Sequence, residues 1–264
     1  GVQTCALPIC FAPLVPECIE VPFGDADALE ETLKATDRIA AFIVEPIQGE
    51  GGVVVPPENY LKKVREICTS YGVLLILDEV QTGLGRTGKL FACQHEDVEP
   101  DVMCLAKSLG GGIMPAGAFI TTEAIWDKAY GGMEKAALHT STFGGNTRAA
   151  AAGLATLEEL IEKDLPAQAA KKGAYIMEHF EAMKDKYSLV KEVRGRGLLI
   201  GIEFVEPGSL ANSLTAGMAK KLAHEYVGAL VAGDLMRKGR IITAFTLNNP
   251  NVIRLEPALT VSYE

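Results

Sequence analysis

The stretch from Val73 to Gly112, VLLILDEVQTGLGRTGKLFACQHEDVEPDVMCLAKSLGGG, constrains the fold more than any other part of the chain. Val73 to Leu77 is an uninterrupted apolar run, the pattern of a strand buried on both faces. It ends on Asp78, an acid placed where a buried strand gives way to a loop. A second run, Val102 to Ala106, ends on Lys107 and is followed by Gly110, Gly111 and Gly112. Upstream, Ile39 to Val44 reads as another buried strand, ending at Glu45. Tyr60, Leu61, Val64, Ile67, Cys68 and Tyr71 recur at helical spacing, with Pro56 and Pro57 suited to a first turn and Gly72 to a stop. Strand, helix, strand with short links is a βαβ unit, so the expected class is α/β with a mainly parallel sheet. In such sheets ligands bind beyond the carboxyl ends of the strands. One acid and one amine would then face the same crevice.

The remainder of the chain extends this pattern and then changes it. Asp25 to Ala35 reads as a small helix, Gly117 to Thr121 as a strand and Glu123 to Tyr130 as a short helix. Asn146 is placed to cap a long Ala-rich helix carrying Leu154, Leu157, Leu160 and Ile161. Leu165-Pro166 opens another, with Ala170, Ala174, Met177 and Phe180 expected inward. Beyond it Leu198, Ile200, Ile202 and Phe204 alternate with Leu199, Gly201 and Glu203, the period of a half-exposed strand. Leu214, Met218 and Leu222 return to helical spacing. Arg240 to Thr246 and Val252 to Leu255 are expected strands around the turn Asn248-Asn249-Pro250. A division near residue 160 is expected, with residues 10–160 in one larger domain and 161–264 in a smaller α+β domain.

Charge and cysteine usage exclude several function classes. The net charge of −9 lacks the clustered Lys and Arg that a nucleic-acid partner needs. No apolar run approaches the ~20 residues of a membrane span, and the first ten residues carry no basic segment of a secretory signal. None of the six cysteines forms a C-x-x-C pair, and His95, His139, His179 and His224 are scattered without metal spacing. Free thiols in a reducing cytoplasm are the expected state.

LDEVQTGLGRTG, LAKSLGGG and HTSTFGGN together resemble the core motifs of class III (ω-amino acid) aminotransferases of PLP fold type I, and the wider similarity runs from about Phe11 to the C-terminus. Within that family the putrescine aminotransferase branch is the nearest in resemblance. The resemblance implies pyridoxal 5′-phosphate as cofactor, an amine donor and a 2-oxo acid acceptor as substrates, and a homodimer or higher homo-oligomer. It implies that Lys107 forms the Schiff base with the cofactor aldehyde and that Asp78 keeps the ring nitrogen protonated, so that the ring accepts electrons. It places Gln81 near the ring's phenolic oxygen, and gives Thr142 the cofactor phosphate of the neighbouring subunit. Glu45 supports the cofactor pocket. Arg254, in VIRLEP, matches the arginine that grips the acceptor's carboxylate through a bidentate fork. Glu50 matches the glutamate that pairs with this arginine when the other substrate is bound. Ornithine, acetylornithine and 4-aminobutyrate are alternative donors to a putrescine-like diamine.

Taken one at a time, these residues have blander readings. A lone lysine at a strand end is an ordinary surface residue, an acid after a strand is a turn former, and Glu45, Glu50 and Arg254 make surface ion pairs. Gly195-Arg196-Gly197 reads as structural. Gly83-x-Gly85-x-x-Gly88-Lys89 spells a dinucleotide fingerprint and almost a P-loop, which keeps a nucleotide-binding module open. Against it, Leu90 stands where a P-loop needs Ser or Thr, and Glu96 to Pro100 makes a poor helix. Residues 1–9 resemble a translated sequencing adapter, and the family's N-terminal portion is expected to be missing. On that reading the polypeptide as written would be an inactive piece.

Overall fold

A computed structural model describes residues 16–135, 137–205 and 227–263. The expected helix around Leu214, Met218 and Leu222 falls outside these residues. The βαβ reading is realised. Strands β1 (Ala41–Val44), β2 (Leu74–Asp78) and β3 (Val102–Leu105) lie side by side and parallel, and β4 (Ala118–Thr121) closes the sheet antiparallel to β3. Helix α1 (Ala26–Ala35) is capped by the Asp25 carboxylate, which accepts from Ala28 N–H at 2.9 Å. Helix α2 (Tyr60–Tyr71) stops at Gly72, whose φ of 65° is the left-handed stop the sequence signalled. Its first residue, Tyr60, comes three positions after Pro57, behind an N-cap at Asn59 with φ of 61°, so the proline pair precedes the first turn rather than forming it. Leu29, Leu33, Phe42, Tyr60, Leu61, Val64, Cys68, Leu75 and Leu77 form the core between helices and sheet.

Helix α3 (Glu123–Tyr130) follows, then α4 (Thr147–Glu162) and α5 (Leu165–Lys186). Asn146 caps α4 by accepting from Arg148 and Ala149 N–H at 2.9 and 3.2 Å. Leu160 is buried, whereas Leu154 and Ile161 are exposed. The inward face of α5 is the expected one at Met177 and Phe180, which pack into the core, but Ala170 and Ala174 are exposed, Ala170 beside Gly88, and Leu165, Ala169, Lys172 and Gly173 are buried instead. An alanine-rich helix has no strong stripe, and the buried lysine disguised the face. Lys172 Nζ donates to Leu259 O at 2.8 Å and to Gln168 Oε1 at 3.3 Å, which is how its charge is tolerated there.

A second, antiparallel sheet runs in the order β5 (Val190–Arg196), β6 (Leu199–Phe204), β8 (Val252–Leu255), β7 (Ala244–Phe245). Strand β6 is buried on both faces rather than half-exposed. Ile200, Ile202 and Phe204 pack against Ile176, Met177 and Phe180 of α5. On its other face Leu199 meets Ile47 and Val53, and the missing Cβ of Gly201 leaves room for Val53. The Glu203 carboxylate is met there by Lys191 and Arg194. The predicted strand Arg240 to Thr246 shrinks to Ala244–Phe245, because residues 235–239 continue a helix and Arg240 turns left-handed at φ of 55°.

The two sheets meet at a backbone contact. Leu198 N–H donates to Arg86 O at 2.9 Å, and the Arg86 guanidinium donates to Pro257 O at 2.6 Å and Leu198 O at 3.2 Å. A Cβ on Gly197 would lie 2.5 Å from the Thr87 carbonyl carbon, and one on Gly88 2.9 Å from Ala170. The glycines of the would-be fingerprint therefore serve close packing. No helix opens at Gly88, so the nucleotide-binding alternative lacks the element it requires. Gly195-Arg196-Gly197 belongs to this contact too, as the structural reading had it.

Gly173 gives the sharpest test of the contact. By helix propensity alone, Gly173→Ala on α5 would gain about 1 kcal/mol. A Cβ there would sit 2.0 Å from Gly197 O, against backbone that cannot swing aside. The substitution is expected to cost about 1–3 kcal/mol instead, read as a lower denaturant midpoint. A raised midpoint would contradict this.

Candidate active site

Three adjacent parallel strands deliver three polar side chains to one edge of the first sheet. Asp78 is the last residue of β2 and pairs with Cys104 of β3, Glu45 directly follows β1, and Lys107 comes two residues after β3. Each strand is apolar until its end, but the two faces are not equally covered as the apolar runs suggested: Phe42, Val44, Leu75 and Leu77 are buried under the helices, whereas Ile43, Leu74 and Ile76 on the other face are half-buried. Lys107 itself opens a short 3-10 turn, Lys107–Gly110, with φ of 47°. A left-handed lysine is unusual backbone, and such residues cluster at functional sites. Gly111, at φ of 62°, ends the turn, and a Cβ there would strike Thr156 of α4 at 2.6 Å.

The side chains beyond these strands form one connected line. Lys107 Nζ donates to Gln81 Oε1 at 2.7 Å, and Gln81 Nε2 donates to Glu256 Oε1 at 3.0 Å. Glu256 Oε2 lies 2.9 Å from Arg254 Nε, and Arg254 Nη1 is hydrogen-bonded to Glu50 Oε1. The Arg254–Glu256 contact is an ion pair without a directed bond, since the buried Nε–H does not point along it. Gln81 fits here because Gly49 has no side chain: a Cβ would fall 2.3 Å from Gln81 Oε1. The loop carrying Glu50 is held from the second sheet, where Arg194 donates to Gly52 O at 2.7 Å and to Val53 O at 3.1 Å. Glu203, which anchors Arg194, is pushed up by burial but held below the usual carboxylate range by its bonds from Lys191 and Arg194.

Glu45 senses the whole cluster. Burial pushes its carboxyl above the ordinary value, with Asp78 and Glu50 adding to the rise; Gly49 N–H, donating at 2.9 Å, and Lys107 oppose it. Asp78 Oδ1 accepts from Val80 N–H at 3.0 Å, and among the described residues no hydrogen bond reaches Oδ2. Asp78 and Lys107 thus offer a carboxylate oxygen for a cationic ring and an amine for an aldehyde. This donor set fits the pyridoxal phosphate expected from the motifs.

The structure therefore gathers Lys107, Asp78, Gln81, Glu45, Glu50 and Arg254. Thr142 stands in an exposed turn before α4, and among the described residues no hydrogen bond or ion pair joins it to the other six. Two acids escaped the sequence reading. Glu256 sits two residues after Arg254 in the same VIRLEP motif, yet only its side-chain partners reveal it. Glu79 is buried beside Asp78, accepting from Thr82 Oγ1 at 2.5 Å, Ala92 N–H at 3.0 Å and Cys93 N–H at 2.8 Å. It pins the loop after the GLGRTG turn to the end of β2. Burial first, then this neighbouring carboxylate, pushes the Cys93 thiol up to about 12. Among the described residues no His/Cys/Asp/Glu group is arranged to hold a metal, and no helix is long and apolar enough to cross a membrane.

Residues 10–264 match the sequence family described as aminotransferase class-III. Among solved structures, the ornithine aminotransferase of Toxoplasma gondii ME49 is 37% identical with a TM-score of 0.83, over 96% of this chain and 54% of that one. The acetylornithine aminotransferase of Elizabethkingia anophelis is 39% identical with a TM-score of 0.80, over 94% and 59%. The ornithine aminotransferase of Plasmodium yoelii is 40% identical with a TM-score of 0.78, over 92% and 58%. The chain thus spans between 54% and 59% of the length of these relatives. A further Toxoplasma gondii structure is described as having partial occupancy of PLP at its active site.

The raised Glu45 carboxyl sets a pH dependence. A carboxyl whose folded value lies above its unfolded one holds its proton better when folded, so stability falls as pH rises from 4.5 through the folded value. Glu45→Gln removes this loss and keeps an acceptor for Gly49 N–H. Its stability advantage over the parent, measured by urea unfolding across pH, is expected to grow as pH rises through that window. An advantage that shrinks over the same range would reverse the assignment.

Proposed function

The chain belongs to the class III aminotransferases, and from that premise we propose that the protein carrying it moves a terminal amino group from an ornithine-type donor to a 2-oxo acid such as 2-oxoglutarate. Class III aminotransferases use pyridoxal phosphate. When bound, that coenzyme supplies an aldehyde that takes up the amino group and a protonated ring that draws electrons from the substrate carbon. The observation that carries the reading is the meeting of Lys107, Asp78 and the Arg254–Glu50 pair at one edge.

Each residue has a separate task. Lys107 would hold the coenzyme by its Nζ and, once freed, would carry a proton at the substrate carbon as general acid and base. The Asp78 carboxylate would hold the coenzyme's ring nitrogen in its protonated form. Gln81, fixed between Lys107 and Glu256, presents a rigid amide to the same space. Glu45, with its raised carboxyl, supports the pocket wall. Arg254 grips the carboxylate of the acceptor, and Glu50 neutralises it while the donor end occupies the site. That exchange spares a largely buried guanidinium from being left without an anion. Thr142 is assigned to the phosphate held by a second copy, which makes the working unit a dimer.

The donor assignment departs from the putrescine expected from the motifs. The three solved relatives named above are ornithine and acetylornithine aminotransferases, which supports the ornithine-type alternative over a diamine.

Lys107→Ala is expected to abolish turnover with every donor and to remove the visible absorbance of tethered coenzyme. Persisting turnover would take Lys107 out of this role. Arg254→Ala is expected to lower kcat/KM for 2-oxoglutarate by at least about 30-fold, equivalent to about 2 kcal/mol. A stopped-flow comparison of the two half-reactions checks that the acceptor half carries most of that loss.

A further inference from the structure

We infer that Glu256 is a positioning residue for the reacting amine: it fixes which way round the Gln81 amide sits, so that only the amide oxygen faces Lys107 Nζ. The inference rests on the aminotransferase reading above and deepens it, with Glu256 acting on the lysine through Gln81. A glutamine amide carries an accepting oxygen and a donating nitrogen, and a half-turn of its last torsion exchanges them. Lys107 Nζ donates to Oε1 at 2.7 Å, and Nε2 donates to Glu256 Oε1 at 3.0 Å. The amide packs directly on the backbone at Gly49, where a Cβ would fall 2.3 Å from Oε1 and 2.8 Å from Nε2. On that side it has no room to shift, but exchanging oxygen and nitrogen in place needs none.

An ammonium on Lys107 donates only, and would hold Oε1 toward itself unaided. The neutral amine, which is the form that attacks an aldehyde, would not. Its lone pair can accept, so an unrestrained amide could turn and donate Nε2–H to it. Glu256 opposes that turn. A carboxylate accepts only, and a turned Gln81 would set its own oxygen against Glu256 Oε1, two acceptors with no proton between them. The carboxylate is anchored in turn: Oε2 lies 2.9 Å from Arg254 Nε, and the carbonyl of the next residue, Pro257, accepts from Arg86 at 2.6 Å. Lys107 therefore stays the donor toward Gln81 and keeps its lone pair free for the aldehyde carbon of the coenzyme. Capture forms a double bond from Nζ to that carbon, and the aldehyde oxygen leaves as water with both amine protons.

Glu256→Gln tests this, because the new amide keeps the size of the side chain but can donate as well as accept, which lets Gln81 turn. In the protein carrying this chain, freed of coenzyme, two quantities are measured. One is the rate at which added pyridoxal phosphate becomes tethered, followed by absorbance. The other is the affinity for pyridoxamine phosphate, which has no aldehyde to capture. The variant is expected to tether at least about fivefold more slowly, the factor one hydrogen bond is worth, with pyridoxamine phosphate affinity unchanged. In a Gln81→Ala background the same change at 256 is expected to have no further effect on tethering, whereas an effect of charge alone would persist there. Unchanged tethering, a loss undiminished in the Gln81→Ala background, or an equal loss of pyridoxamine phosphate affinity would overturn the inference. If Glu256→Gln does not fold, Glu256→Ala, which also frees the amide, carries the same expectation. Parent protein that tethers no pyridoxal phosphate defeats the proposed function itself, a result distinct from parent and variant tethering alike, which defeats only the role of Glu256.

Discussion

The candidate site depends on how closely two sheets approach. Lys107, Asp78 and Glu45 leave the parallel sheet, whereas Arg254 and Glu256 leave the antiparallel one. They meet because the backbone at Gly197 lies against Thr87, and α5 is pressed onto Gly197 at Gly173. Contacts of this kind have no side chain to adjust, so the separation is fixed rather than averaged. Arg86 adds to it by donating to two backbone oxygens of the second sheet. Burial holds its guanidinium below the ordinary value, with Glu256 opposing that shift. A guanidinium loses its proton only far above neutral pH, so this residue stays charged through that shift.

Given that separation, electrostatics decides what the site holds. Glu45, Glu50, Asp78 and Glu256 face Lys107 and Arg254, so carboxylates outnumber cations. Burial is the main cause of the raised Glu45 carboxyl, and the neighbouring Asp78 and Glu50 carboxylates add to it. An acidic pocket attracts amines and leaves a carboxylate free for a cationic ring. In the proposed reaction, acceptor binding would be an exchange, in which an incoming carboxylate displaces one already present. Arg254 is suited to this because its planar fork can release one carboxylate and take another without moving its stem.

Much of this was legible in the sequence because it follows from local patterns. Apolar runs ending in Asp78 and near Lys107 define the parallel strands and the edge where ligands bind. Gly72 and Asn146 mark helix ends through their own backbone and side-chain chemistry. What was not legible depends on partners distant in sequence. Strand β6 looked half-exposed because Gly201 and Glu203 read as solvent-facing, yet Val53 covers one and Lys191 with Arg194 neutralise the other. The glycines from Gly83 to Gly88 spelled a phosphate loop, since spacing cannot tell a glycine that cradles an anion from one that admits a neighbouring helix. Glu256 was passed over beside Arg254 because nothing in a linear motif says that Gln81, so far away in sequence, will donate to it.

The central claim is that one coenzyme lies between the Lys107 amine and the Asp78 carboxylate. Reduction of the coenzyme-loaded protein with borohydride, followed by peptide mapping by mass spectrometry, tests it most directly. The account predicts a single stable pyridoxyl label on the peptide containing Lys107. A label on another lysine, or on none, would contradict it.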